Sequence, residues 1–203
     1  MSKSTLALLD SSLYPQSWQQ QSFSSPQAFF RGLLAGDIPP DADAFTKQLL
    51  VNDTYKDWIY SSVFGRYLHR NFTAFYRQTE DSFNTDMPDI FRRELTRHAQ
   101  YLPVEQVLFF AGDIPKNVRQ TKLFTTTVNP ATAMINAQRI KVKRNASQTV
   151  VNQIDITGKH VLGFPIRHNK RTSERLRNEV LILDFQNLRL VNELKIEDIK
   201  KAI

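Results

Sequence analysis

Cysteine is absent from all 203 residues, which rules out a disulfide, a thiolate zinc site and a thiol nucleophile. Glycine is scarce, with only 6 in the chain, and neither of the glycine-rich phosphate loops can be written from them. Gly158-Lys159 lacks the upstream glycine and the following Ser or Thr of a P-loop, and no G-x-G-x-x-G occurs. The 4 histidines (His69, His98, His160, His168) show neither i,i+4 pairing nor H-E-x-x-H, so no metal site is expected. No G-x-S-x-G nucleophile elbow is present. No apolar run approaches the length of a membrane span, and the first ten residues lack the apolar core of a signal peptide. These absences predict a protein of the reducing cytoplasm without metal or membrane. They also remove most of the familiar enzyme signatures.

What the chain does have is a charge gradient. The formal net charge is +7, with 27 basic against 20 acidic side chains. Residues 1–60 carry −2, residues 61–138 carry +2, and residues 139–203 carry the remaining +7. A basic surface concentrates polyanions and speeds their encounter, although a solvated basic face with no partner fits the charge alone equally well.

The pattern of elements changes near Pro103. Before it, the segments read as helices. Ser24-Ser25-Pro26 is a cap and first turn leading to Leu34, Gly36 to Pro40 is a loop, and Asp43 to Val51 is a short helix. Asp53, as N-cap, starts an aromatic-striped helix reaching Thr79, and Pro88 opens another ending at Ala99. After Pro103 the segments read as strands: Gln106 to Phe110, Lys122 to Val128, Val150 to Ile156, Val161 to Ile166 interrupted by Gly163 and Pro165, Glu179 to Leu183, and Leu188 to Leu194. Asn129-Pro130 caps a short helix through Ala137, and the alternation of Ile and Val with Lys and Arg in 139–144 predicts a half-exposed strand. Helices followed by closely spaced strands make an α+β protein, expected as one domain with a mainly helical lobe over 1–103 and a β-rich core over 104–203.

Three strand ends hold the candidate chemistry. Phe109 to Asp113 ends a strand in a small-residue turn, Phe124 to Pro130 is a hydroxyl-rich strand leading into Asn-Pro, and Glu179 heads an apolar run. Alone, Glu179 reads as a wet strand-edge carboxylate, and the threonines read as β-propensity. In order, Leu123-Phe-Thr-Thr-Thr-Val-Asn-Pro-Ala-Thr-Ala133 followed some fifty residues later by Asn178-Glu-Val-Leu-Ile182 resembles the mono-ADP-ribosyltransferases of the arginine–serine–glutamate type. The resemblance covers roughly residues 55–195.

That resemblance implies an ADP-ribosyltransferase-like fold, two packed sheets clasping NAD as co-substrate beside a helical lobe. Glu179 then matches the catalytic glutamate. Thr125, Thr126 and Thr127 occupy the hydroxyl motif, with Thr125 and Thr126 beside the carboxylate and Thr125 and Thr127 toward the nicotinamide ribose. Phe124 would pack on the nicotinamide. The family's first motif puts an arginine and often a glycine at the end of the first core strand to hold the NAD phosphates. Here Ala111 and Gly112 stand there, which implies an inactivated or repurposed site, or a substitute cation such as Arg119. Phe30-Arg31-Gly32 has the right residues in the wrong place. Arginine-modifying members carry Glu or Gln two residues before the catalytic glutamate, whereas this chain has Arg177, a poor host for a guanidinium. The preceding loop carries Arg167, Lys170, Arg171, Arg175 and Arg177 where the acceptor is recognised, so the implied acceptor is a nucleic acid, RNA ahead of DNA. A protein acceptor is the first alternative, and a catalytically dead basic binding module the second. A toxin or effector with an antitoxin or immunity partner fits the same resemblance.

Overall fold

The computed structural model describes residues 3–9, 25–60, 87–114, 124–166, 178–183 and 187–196. The first helix, α1 (Pro26–Ala35), starts where the sequence says it should. The Ser25 side chain accepts from the Ala28 amide, Pro26 fills the first turn, and Gly36 closes the end in the left-handed region at φ 76°. Asp41 caps α2 (Ala42–Val51) in the same way. Asn52 ends that helix and also starts the next one, α3 (Asp53–Tyr60), its side-chain oxygen accepting from the Tyr55 amide at 2.9 Å. The cap expected of Asp53 therefore belongs to Asn52, and Asp53 instead pairs with Lys56 within the first turn. The stretch from 61 to 79 expected to continue this helix lies outside the described residues. Helix α4 (Met87–His98) has Pro88 in its first turn, as expected. The Lys3 amine reaches from the N-terminal segment to cap its far end, donating to the carbonyls of Thr96 and, at 3.0 Å, Ala99.

Six strands follow among the described residues: β1 (Gln100–Tyr101), β2 (Val107–Ala111), β3 (Phe124–Thr127), β4 (Val151–Asp155), β5 (Leu162–Pro165) and β6 (Glu179–Ile182). They form one sheet in the order β1-β5-β6-β3-β2-β4, every neighbouring pair antiparallel. The protein is α+β. The expected pair of packed sheets is not what these strands build, since all six share a single hydrogen-bonded ladder. Gly163 lies inside β5 rather than interrupting it. A Cβ there would sit 2.4 Å from Leu102, so the strand passes this close only because the residue has none.

Two further expectations are corrected. Residues 139–144 are helical, the last turns of α5 (Pro130–Arg144), which Asn129 caps at one end and Asn145 closes at φ 49°. No glycine or proline lies between Pro130 and Asn145, and the cations Lys141, Lys143 and Arg144 sit at the negative end of the helix dipole. Leu188 to Leu194 forms no strand. Leu188 packs against the core, and from there the segment runs extended, with Val191 95% exposed.

The core explains why β6 reads as a continuous apolar run. Val180 and Ile182 join a large cluster with Leu108, Phe124, Phe29, Leu33, Phe45 and Trp58. Leu181 and Leu183 join a second one with Phe164 and with Leu95 and Ala99 from the end of α4. The strand is buried on both faces, and only its first residue is polar.

Candidate active site

Strands β2, β3 and β6 are adjacent, so the three motifs singled out from the sequence lie side by side. Thr127 pairs directly with Glu179 on β6 and with Phe109 on β2. Continuing the β2–β3 register by two residues puts Ala111 beside Thr125. Strand alternation sends Thr125, Thr127 and Glu179 to one face and Thr126 to the other.

The three threonines have different surroundings. Thr126 donates its hydroxyl to the Val180 carbonyl across the ladder at 2.7 Å and is buried. It serves the sheet. Thr127 donates to the Asn178 carbonyl at 3.2 Å and accepts from the Asn129 amide at 3.0 Å, which locks the strand end. Thr125 is different: its hydroxyl oxygen is buried and has no hydrogen-bond partner among the described residues. A buried hydroxyl without a partner costs roughly 1–3 kcal/mol, so its presence on the Glu179 face is what a ligand-facing group would look like.

Phe124 is 1% exposed, and its ring centroid lies 5.0 Å from that of Phe110. Its ring is committed to the core rather than to an open cleft. Ala111 is half-buried and closes β2 opposite Val151. Gly112 turns the chain at φ 82°, where a Cβ would meet Ile140 of α5 at 3.2 Å. The Asn152 side chain holds this turn, donating to the Gly112 carbonyl at 2.7 Å. The expected acceptor residues Arg167, Lys170, Arg171, Arg175 and Arg177, and the alternative cation Arg119, lie outside the described residues.

Sequence reasoning missed the polar network behind Glu179. Asn178, 1% exposed, has φ 46°, in the left-handed region that asparagine tolerates better than most residues. Its Oδ1 accepts from the Thr46 hydroxyl at 2.8 Å and from Asn129 Nδ2 at 2.9 Å, while its Nδ2 donates to the Tyr55 hydroxyl oxygen at 3.1 Å. Asn129 is fully buried; its Nδ2 also reaches the Ala42 carbonyl at 3.1 Å, and its Oδ1 caps α5 by accepting from the Thr132 amide at 3.1 Å. Burial pushes the Tyr55 phenol up to about 12; the Asn178 hydrogen bond opposes that, and the nearby Glu179 charge adds to it. The phenol therefore stays neutral and keeps its proton. The one available sequence signal was an asparagine immediately before a strand-opening glutamate.

No group of three or more His, Cys, Asp or Glu side chains among the described residues is placed to hold a metal ion. No described helix is long and apolar enough to cross a membrane. No family model, no curated protein and no solved structure matches this chain.

Proposed function

We propose that the chain is an NAD-dependent mono-ADP-ribosyltransferase of the toxin or effector type, with an ADP-ribosyltransferase-like fold, acting in the cytoplasm on nucleic acid and on RNA first. The observation that carries this reading is the unpartnered Thr125 hydroxyl, buried on the sheet face that Thr127 and Glu179 share. In this reading Thr125 bonds the nicotinamide ribose or amide. Glu179 faces the positive charge that develops at ribose C1′ as the bond to nicotinamide breaks. Nicotinamide leaves with the electron pair, and an acceptor oxygen forms the new bond to C1′ and gives up its proton. A carboxylate in a partly dry cleft is worth ~3 kcal/mol or more to such a charge.

The residues fit one half of NAD better than the other. Thr125 and Glu179 suit the nicotinamide riboside, whereas Ala111 puts a methyl group where the phosphates would want a guanidinium. The reading therefore includes an inactivated site. Labelled NAD incubated with RNA, DNA and a cell lysate is the test, using the chain as it stands and its Ala111→Arg variant. Label should appear on RNA and rise sharply with Ala111→Arg; Glu179→Gln in that background should abolish it while leaving the fold intact. No turnover with arginine at 111, or full activity in Glu179→Gln, ends the transferase reading. Label on a protein band would move the acceptor from RNA to protein.

A second reading is supported by Ala111 together with the exposed cations Arg139, Lys143 and Arg144 on α5: a basic nucleic-acid-binding module that no longer turns over NAD. It predicts RNA binding that weakens steeply with salt and no label under any condition.

A further inference from the structure

The residue before Glu179 is fixed more firmly than strand pairing requires. The Asn178 carbonyl accepts from the Val128 amide at 3.1 Å and from the Thr127 hydroxyl at 3.2 Å, and every polar atom of its carboxamide is used within the protein. A left-handed, non-glycine residue persists only where its surroundings over-determine it, and such positions gather at functional sites. Glu179 is held on the other side as well, its carbonyl accepting from the Ile166 amide at 2.9 Å.

Tyr55 completes the picture. Its hydroxyl oxygen accepts from Asn178, which leaves the phenol proton without an acceptor among the described residues. The side chain is 3% exposed, so water is not the natural partner for that proton. The charge that reaches it is that of Glu179. The other charged side chains on the helices carrying the network lie outward, with Asp43 paired to Lys47, Asp53 paired to Lys56, and Asp57 exposed. Neither β3 nor the first turns of α5 bring a titratable group.

We propose that Tyr55 and Asn178 are positioning residues for Glu179: the phenol donates its free proton to the Glu179 carboxylate in the working site, and Asn178 orients the phenol while fixing the start of the strand. Helix α3 then belongs to the site rather than to its support. The proposal rests on the reading of Glu179 as the reacting carboxylate.

The test does not need turnover. The titration midpoint of Glu179 is read by side-chain carbon NMR in the intact, ligand-free protein. Loss of one hydrogen-bond donor from the charged form should raise that midpoint by about 0.5–1 unit in Tyr55→Phe. Thr46→Val, which breaks the same network one residue further from Glu179, should lower stability and leave the midpoint in place. If Tyr55→Phe fails to fold, 3-fluorotyrosine at position 55 keeps the shape with a more acidic hydroxyl, and should lower the midpoint instead. A midpoint unmoved by both Tyr55 replacements, or moved as far by Thr46→Val, overturns the proposal. A midpoint that shifts as expected while Ala111→Arg still transfers no label leaves the positioning pair standing and removes the transferase reading.

Discussion

Asn129→Ala is the most informative single substitution for the stability of this fold. The side chain is fully buried and spends both of its polar atoms inside the protein. Its Oδ1 is the N-cap of α5, and losing an N-cap costs about 1 kcal/mol. Its Nδ2 serves the Ala42 carbonyl and Asn178 Oδ1, with Thr46 Oγ1 at 3.2 Å as a third acceptor. After truncation Thr46 still donates to Asn178, so the full loss falls on the Ala42 carbonyl, and a buried acceptor left unmet costs roughly 1–3 kcal/mol. The total is about 3 kcal/mol, a large share of the ~5–15 kcal/mol that holds a domain together. For a chain of this length the melting temperature should fall by roughly 6–12 °C. Thermal melts and urea midpoints measure both quantities. Asn129→Ser separates the two contributions, because serine keeps the cap and loses the carboxamide; it should recover about 1 kcal/mol of the loss. The reasoning fails if alanine costs less than about 1 kcal/mol, or if serine and alanine are equally destabilised.

Thr125→Val should stabilise the protein or leave it unchanged, since it replaces an unpartnered buried hydroxyl with a methyl group of the same shape. In the Ala111→Arg background the same change should reduce label transfer; a clear drop in urea midpoint would show that the hydroxyl has a structural partner. The Tyr55 phenol gives a pH prediction. Its folded value of about 12 stands above the model value of 10.0, so the unfolded chain releases that proton first. The stabilisation is complete below pH 10 and is lost as pH rises through 12, up to ~3 kcal/mol. Denaturation midpoints across that window should fall in the wild type and show a shallower slope in Tyr55→Phe; equal slopes would refute the assignment.

The parts of the fold that could be read from the sequence are those set by neighbouring residues. Ser25-Pro26 and Asn129-Pro130 start helices because cap and first-turn chemistry is local. Strands β2, β3 and β6 follow from short apolar or β-branched runs. The six residues 139–144 carry only two apolar side chains, too few to separate a period of two from one of 3.6, and the unbroken helix-compatible stretch before them decided the outcome. Leu188 to Leu194 does alternate as a strand does, but a ladder also needs a neighbouring edge, which no alternation encodes. For the candidate site, the order of its three strand ends was legible and its depth was not. Asn129 could be read as a cap but not as a hub. Thr46 and Tyr55 looked like ordinary positions on two amphipathic helices, because their partner lies more than a hundred residues away.

That distance bears on how the chain is made. Thr46 meets Asn178 across 132 residues and Tyr55 meets it across 123, so the two earliest members of the network wait for the latest. During synthesis α2 and α3 leave the ribosome with two polar groups that only the final third of the chain can satisfy, and contacts of such long range form late. Glu179 leaves the ribosome next after the asparagine that completes the network. A nascent chain shorter than that has neither the carboxylate nor the residues' common partner, so whatever this site does is withheld until translation is nearly finished.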